Sequence, residues 1–517
     1  MGAKRGRTTR RRSRRSNVPI EFELCHLLKL GLEVDLILGL HRRTPTGYRL
    51  KIRIPKAFAQ SELALAALVA AHLVPFGSYL AWVALIFWSL LGPTQAGRSL
   101  LIGVVLNSLN PGLFEGEAGA VLRWPLLLTA GYSTIRFCLR MAPATAWRVL
   151  APVASYTAAI AIGSAIWSQL PAVSLLKLFA FALGFTTCVL SVRSTIQQYD
   201  WLSWLGRLAS FIALTSAPLL LSSVGYLRNG SGFQGILSHP QLYGVFLAPI
   251  LAATTAKATE TRPRLVAFIP LGIAWITLVA SGSRTAVLAC LGGIGISFVR
   301  SLLRAPPRRP RVYWWRQLVP LLLLVVPFVV FAVSDFTTGP IARFLAKESG
   351  PADRTAVMES LESSRGGLIA QQIENFEASP LVGIGFGVPS EIGSGPRTLG
   401  LPSTDSVRNE KGVVVTAVLE ETGIIGIVLF VIFLWRIAGR YLANAPVPPL
   451  AATWSAFLIN MGEMVFFSPG SVGVLVWLLI GTLCCVPGKR NGFLGGQQKG
   501  RKARVRADQL SAVSANP

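Results

Sequence analysis

The chain has 517 residues, of which 52% are hydrophobic and 14% are charged, and its mean hydropathy is +0.54. Soluble domains carry about a quarter charged residues, so this composition excludes a soluble protein and indicates a polytopic membrane protein. The formal charge of +27 comes from clusters that flank apolar runs. This distribution indicates cytoplasmic ends that contact anionic membrane lipids, rather than a nucleic-acid-binding protein.

The first 60 residues are predicted to form a basic, partly disordered cytoplasmic N-terminus. Eight lysines and arginines lie within residues 4–15. The following segment, EFELCHLLKLGLEVDLILGL, alternates apolar residues with charges and is too charged to cross a bilayer. It is predicted to be an amphipathic helix that lies on the inner membrane surface.

From residue 61 onward, apolar runs recur that are long enough to cross a bilayer as helices. The predicted spans lie near 62–75, 78–92, 98–113, 121–138, 146–168, 172–192, 207–224, 239–258, 263–281, 284–303, 313–333, 413–435, 449–467 and 470–486. The short first pair could instead form one re-entrant hairpin, so 12–14 transmembrane helices are predicted. The chain then divides into N-terminal transmembrane helices (61–224), a core (225–435), C-terminal transmembrane helices (436–486) and a basic, disordered cytoplasmic tail (487–517).

The positions of the charges predict the orientation in the membrane. Both termini are basic and are therefore placed in the cytoplasm, which requires an even number of spans. With this count, a third arginine cluster at 300–316 also lies inside, and the acidic connection FEGEAG lies outside. The prediction is a multi-pass protein of the cytoplasmic membrane with one long extracytoplasmic loop, residues 334–411.

The long loop holds a helix-like stretch, DRTAVMESLESSRGGLIAQQIENFEAS, and then the glycine-rich sequence PLVGIGFG. A long polar loop in a compact bundle is typical of a lid or a binding element. The spacing of Gly383, Gly385 and Gly387 is similar to that of a dinucleotide-binding loop, but no βα unit surrounds it, so that interpretation is rejected. None of the six cysteines falls in a predicted outer segment, so no disulfide framework is expected.

Ionisable residues gather at the predicted outer ends of the spans. They are Arg228, His239, Arg284, Glu410, Lys411, Glu420, Glu421 and Glu463. Each has a purely structural alternative: Arg284 could reach to the membrane surface, His239 could cap its helix, and Glu421 could pair with a neighbouring cation. Their convergence on one face beside the long loop favours a binding site instead, since charges inside a membrane are costly.

Two arginines at an outer membrane face suit a phosphate-bearing ligand, because a guanidinium binds phosphate through two parallel hydrogen bonds. A diphosphate that leaves during group transfer needs fixed positive charge more than it needs a proton donor. The chain has no Asp-x-Asp pair that would hold a metal. Glu115 and Glu117 could mimic such a pair, but two solvated glutamates are the favoured interpretation. No metal and no other cofactor are therefore expected.

Four sequence elements between about residues 225 and 430 carry a resemblance to a known family. They are an arginine- and glycine-bearing segment that runs into HPQLYG, then SGSRTAVLA, then SPLVGIGFG, and then LEETGIIGIVLF. In this order around one long outer loop, they resemble the bacterial O-antigen ligase and O-antigen polymerase superfamily. The first 200 residues match that superfamily only in topology.

The resemblance implies an all-α, GT-C-like glycosyltransferase that works without metal. Such enzymes transfer a glycan from an undecaprenyl diphosphate carrier to a lipid or glycan acceptor at the outer membrane face. Carried over by position, Arg284 resembles the arginine of the family's SRxA element, and Arg228 resembles the arginine before the HPQ-like segment. Arg365 resembles the loop arginine before the glycine-rich element. All three would contact diphosphate or glycan.

The sequence departs from the family at one place. Many members carry His-Asn about eleven residues before the glycine of the ETGxxG element, whereas that count from Gly423 reaches Gly412. Glu410 could serve as the base in place of the histidine, with Lys411 beside it to hold charge on the donor. Alternatively, the reaction needs no strong base because diphosphate leaves readily.

Two other classes of function stay open at this point. A transporter or flippase of polysaccharide precursors or small anions would carry charges near the membrane midplane and internal repeats. The sequence shows no convincing repeat, and its charges lie at one face. A structural or regulatory membrane protein without catalytic activity is the third possibility, and the missing histidine favours it.

Overall fold

A computed structural model describes residues 65–74, 76–114, 118–227, 232–260, 268–304, 354–390 and 411–484. This part of the chain is mostly helical and contains no β-strand, although two isolated antiparallel bridges join Leu109 to Leu237 and Tyr226 to Phe233. The predicted all-α architecture is therefore confirmed for the described residues.

Seven helices form the first half of the described structure. They are α1 (65–71), α2 (Gly77–Ser89), α3 (Pro93–Asn107), α4 (Ala118–Met141), α5 (Pro143–Trp167), α6 (Pro171–Thr195) and α7 (Trp201–Ser216). Three of them begin with a proline. The N–H groups of the first helical turn have no partner within the helix, so the absent N–H of proline costs nothing there, and its fixed φ is already helical. A 3₁₀ helix, Ala217–Leu221, continues α7.

Seven more helices follow. They are α8 (Pro240–Glu260), α9 (Phe268–Ala280), α10 (Arg284–Arg304), α11 (Arg354–Ala378), α12 (Val414–Leu434), α13 (Val447–Asn460) and α14 (Gly473–Thr482). The π-helical turn Trp435–Gly439 and the short helix Arg440–Leu442 extend α12. The helix-like stretch predicted within the long loop coincides with α11.

Four helical segments among the described residues are long and apolar enough to cross a membrane. They are Pro143–Trp167, Pro171–Thr195, Trp201–Leu221 and Val414–Leu442. The shorter apolar helices are α2, α9 and α14. These segments identify an all-α membrane protein. A helix overlaps every predicted span except 313–333, which lies outside the described residues.

Two predicted boundaries were wrong. The span predicted at 207–224 begins earlier, because Asp200 caps α7 by accepting a hydrogen bond from the Ser203 N–H at 3.0 Å. Arg207 therefore lies inside the helix and not in the connection before it. The span predicted at 449–467 ends at Asn460, which places Glu463 in the turn that follows α13.

The core of the bundle surrounds α14, in which all ten residues are buried. α14 packs on α6, and α10 packs against α13 and α8. Aromatic rings fill the space between α6, α12 and α14, where Phe181 meets Trp477 edge-on at 5.7 Å and Phe185 lies 5.1 Å from Phe433. Such large rings fix the spacing of the helices that carry the site described below.

Basic side chains join helices at the ends predicted to face the cytoplasm. The Arg193 guanidinium donates to the Ile437 carbonyl at 2.7 Å, and Arg300 donates to the Ala443 carbonyl. Arg98 lies against three rings, those of Trp88, Tyr199 and Trp204, at 4.8, 5.6 and 5.3 Å. These cation–π and hydrogen-bond contacts give the inner basic residues a structural role in addition to any contact with lipid.

Candidate functional site

A cavity of about 680 Å³ lies where the predicted outer ends of α3, α4, α6, α8 and α12 meet the segment between α13 and α14. Part of its wall is apolar and is formed by Trp82, Leu100, Val104, Leu126, Leu127, Leu242 and Val245. The rest is polar, and its ionisable lining residues are Arg123, Lys177, His239, Lys411, Glu421 and Glu463. The cavity therefore combines an apolar surface with concentrated charge of both signs.

The glycine-rich loop closes one side of this cavity by docking on α12. The N–H groups of Ile384 and Gly385 donate to the carbonyls of Glu420 and Glu421, each at 2.9 Å. Gly383 and Gly385 have φ values of +71° and +116°, which disfavour any residue with a side chain. A Cβ on Gly383 would also overlap the backbone of Glu421. These glycines therefore permit a backbone-to-backbone contact and do not cradle a nucleotide.

Gly423 breaks α12 at the same contact. Its φ of +63° and ψ of −166° are not helical, and a Cβ there would overlap the Leu381 carbonyl. The break frees backbone groups on α12, and the loop takes them up, since the Ile424 N–H donates to the Pro380 carbonyl at 2.9 Å. The SPLVGIGFG and LEETG elements are thus in contact with each other, and this contact between the glycine-rich loop and the break in α12 is called the joint below.

A buried ion cluster lies immediately below this joint. The Lys411 Nζ is 2.9 Å from the Glu420 Oε2 and 3.1 Å from the Glu421 Oε1. All three side chains are buried, and Glu420 is fully so. Two carboxylates share one ammonium group, so the charge of Lys411 is already balanced within the protein. The alternative in which Glu421 pairs with a neighbouring cation is therefore the one observed.

Asn375 connects α11 to the ion cluster. Its side-chain amide donates to the Glu420 Oε1 at 2.7 Å and to the Ser390 carbonyl at 2.9 Å. Close by, the Thr416 hydroxyl donates to the Gln372 Oε1 at 2.6 Å. The polar helix of the long loop is consequently tied to the start of α12, beside the cavity.

The HPQLYG and SGSRTA elements also pack together. The His239 Nδ1 accepts a hydrogen bond from the Gln241 N–H at 3.2 Å, so His239 caps α8 as well as lining the cavity. Gly244 allows close approach, since a Cβ there would lie 2.5 Å from the Ser283 Cβ. The Phe233 N–H donates to the Ala280 carbonyl at 3.1 Å, which joins the loop before α8 to the end of α9.

The turn after α13 completes the wall. The Asn460 Oδ1 accepts from the N–H groups of Val465 and Phe466 at 3.1 and 2.8 Å and holds the turn in place. The Met464 N–H donates to the Lys411 carbonyl at 3.2 Å, so the turn also contacts the ion cluster. Glu463, which is buried, lines the cavity from this turn.

The structure brings together four of the nine predicted site residues: His239, Lys411, Glu421 and Glu463 all line one cavity, and Glu420 lies beside it in the ion cluster. Arg284 is the first residue of α10, as predicted, but it does not belong to the cavity lining. Arg228 and Glu410 lie outside the described residues. Arg365 lies in α11, and its side chain is outside the described part of the structure.

Three polar residues of this region are not among the predicted site residues: Arg123, Lys177 and Asn375. A signal was present for the first two, because each is a cation within a predicted span, where a charge is costly and needs a reason. The Lys177 Nζ donates to the Gly387 carbonyl and thereby links α6 to the glycine-rich loop.

The ionisable side chains around the cavity carry charges of both signs. Among the described residues, no group of three or more histidines, cysteines or acids could hold a metal. The acids that line the cavity are matched by the cations Arg123, Lys177 and Lys411.

Searches against models of known protein families and against curated proteins found no match to this chain.

Proposed function

We propose that the protein transfers a glycan from a lipid-linked diphosphate to an acceptor at the outer face of the bacterial cytoplasmic membrane. It would do so as a metal-independent, GT-C-like member of the O-antigen ligase and polymerase superfamily. The carrier implied by the resemblance is undecaprenyl diphosphate, and the acceptor is a lipid or a glycan.

The observation that carries the proposal is the single cavity around which the resembling elements meet. HPQLYG contributes His239, LEETG contributes Glu421, and SPLVGIGFG contributes Phe386 and Gly387 to its lining. SGSRTA packs directly behind HPQLYG through Ser283 and Gly244. Elements that are far apart in sequence are expected to meet in this way if they bind one substrate.

The composition of the cavity wall also supports a lipid-linked diphosphate. An isoprenoid chain needs apolar surface, which the side chains of α2, α3 and α4 offer, and a diphosphate needs cations. A volume of about 680 Å³ lies within the usual range for ligand sites, roughly 300–1,000 Å³. Cations at the predicted outer ends of the spans would lie at the depth of a lipid headgroup.

Deleting the gene tests the proposal. We expect glycan attached to its lipid carrier to accumulate in the membrane of the deletion strain. Expression of the protein from a plasmid should return the carrier-linked glycan to the wild-type level. Carrier-linked glycan at the wild-type level, with normal finished polysaccharide, would contradict the proposal.

Transport of the same precursors is a second candidate, and the break in α12 favours it. Transporters bind their substrates where helices are interrupted, as α12 is at Gly423. The two functions differ in where lipid-linked glycan accumulates after deletion. A flippase mutant would retain it on the inner leaflet, whereas a transferase mutant would hold it on the outer leaflet, where an externally added glycosidase can reach it.

A further inference from the structure

The cations that line the cavity are not equivalent. Among the described residues they are Arg123 from α4, Lys177 from α6 and Lys411 before α12. Lys411 lies between the carboxylates of Glu420 and Glu421, at 2.9 and 3.1 Å. Its positive charge is therefore more than balanced, and an additional anion beside it would meet two carboxylates.

Arg123 and Lys177 are held at the cavity wall by a different arrangement. Each follows the start of its helix by one to two turns, and each passes close to a glycine on an opposing loop. The Arg123 Nη1 would lie 3.4 Å from a Cβ placed on Gly470, and the Lys177 Cδ would lie 2.5 Å from a Cβ placed on Gly387. A side chain at Gly387 would displace the stem of Lys177, whereas one at Gly470 would only come into contact with Arg123.

The Lys177 ammonium has three donors, and one of them goes to the Gly387 carbonyl. This bond fixes the position of the ammonium through a neutral carbonyl, and the Glu421 carboxylate, which Lys411 already contacts, also acts on it electrostatically. Asn107, Ser468 and Ser471, whose side chains could donate hydrogen bonds to phosphate oxygens, line the same cavity.

We propose that Arg123 and Lys177 bind the phosphate groups of the donor, and that Lys411 is a positioning residue that holds Glu421 and the joint in place. This assignment to a donor diphosphate rests on the proposed function. A guanidinium and an ammonium suit a diphosphate because the first grips two oxygens of one phosphate and the second supplies a point charge to the other. The N-terminal helices, which resemble the family only in topology, thus supply the anion site.

The test is a binding measurement on the full chain in lipid nanodiscs, by isothermal titration calorimetry. Two probes are used: inorganic pyrophosphate, and farnesyl diphosphate as a diphosphate that carries a lipid. The variants are Arg123→Gln and Lys177→Met. The matched control is Arg136→Gln, because Arg136 lies on the same helix as Arg123, near its other end, and is exposed.

We expect Arg123→Gln and Lys177→Met each to weaken the binding of both probes about tenfold or more, since each removes a hydrogen bond between charged groups. Arg136→Gln should bind as the wild type does. Arg123→Lys, which keeps the charge and loses the planar fork, should bind less tightly than the wild type and more tightly than Arg123→Gln. It serves as the folded comparison if Arg123→Gln is unstable.

Wild-type affinity in folded Arg123→Gln and Lys177→Met, or no binding of either probe to the wild type, would overturn the assignment. If inorganic pyrophosphate and farnesyl diphosphate bind with equal affinity, the lipid part does not contribute to binding, and the assignment to a lipid-linked diphosphate is wrong. The proposed function fails separately, through the deletion strain. If carrier-linked glycan does not accumulate there while pyrophosphate binding still depends on Arg123 and Lys177, the anion site stands and the glycan transfer does not.

Discussion

Replacing Lys411 by methionine should destabilise the folded protein strongly. The substitution keeps the volume of the side chain and removes the ammonium that lies between the carboxylates of Glu420 and Glu421, which are 0% and 2% exposed. Leaving buried charges without their partner typically costs about 3–5 kcal/mol. We therefore expect the thermal midpoint of Lys411→Met in detergent to fall by several degrees or more.

A matched control exists at the other end of the bundle. Lys257 lies 3.6 Å from Asp200, but their side chains are 44% and 51% exposed. An exposed pair contributes roughly 0–1 kcal/mol, so Lys257→Met should change the midpoint little. Each variant and the wild type would be heated to a series of temperatures and then run on a size-exclusion column. The temperature at which half of the protein no longer elutes in the single folded peak gives the midpoint.

A further variant tests the ion cluster of Lys411, Glu420 and Glu421 directly. Changing Glu420 and Glu421 to glutamine in the Lys411→Met background removes both stranded charges, so part of the lost stability should return. Equal midpoints for Lys411→Met and Lys257→Met, or no recovery in the triple variant, would refute the buried ion cluster as a source of stability.

Three further predictions concern the joint, the N-terminal end of α10 and the topology. Gly423→Ala should lower the amount of folded protein in the membrane, because of its φ of +63° and the overlap with Leu381, whereas Gly163→Ala, which meets nothing within 4 Å, should not; abundance by immunoblot measures both. Under the proposed function Arg284, which opens α10 outside the cavity lining, contacts the glycan, so Arg284→Ala should abolish glycan transfer at normal abundance and Arg284→Lys should also be impaired; full activity of the alanine variant would remove this residue from the mechanism. A cysteine introduced at Ser394, in a background without native cysteines, should react with an impermeant maleimide added outside intact cells. Labelling only after the inner face is opened would contradict an extracytoplasmic loop.

The positions of most helices could be predicted from the sequence because the signal is local. A run of apolar residues must be buried or face lipid wherever it lies, so its position along the chain hardly depends on the rest of the fold. The predicted start of α7 lies too late in the chain, because a cation such as Arg207 favours the end of a span over its interior. Asp200, followed three residues later by Ser203, was the capping signal that marked the true start.

The composition of the site was less predictable, because it depends on contacts between distant segments. Lys177 and Gly387 are 210 residues apart, and Asn375 and Glu420 are 45 apart. Nothing local to Lys177 indicates that its ammonium reaches the glycine-rich loop. The sequence could indicate that charges within spans need partners, but only the packing of the helices determines which partners they find.

The structure also separates two kinds of information within the elements that carry the family resemblance. The glycines of SPLVGIGFG and LEETG are explained by the joint alone, because Gly383, Gly385 and Gly423 each adopt a positive φ and pack against opposing backbone or side-chain atoms. Any protein that docks a loop on a broken helix in this way would need them, whether it transfers glycans, transports them or does neither. The glycines therefore report on this contact and not on activity, which must be tested on the side chains that face the cavity. For that reason the decisive variants are those of Arg123 and Lys177, whose side chains line the cavity, rather than those of the glycines, whose loss would abolish any function by preventing the loop from docking.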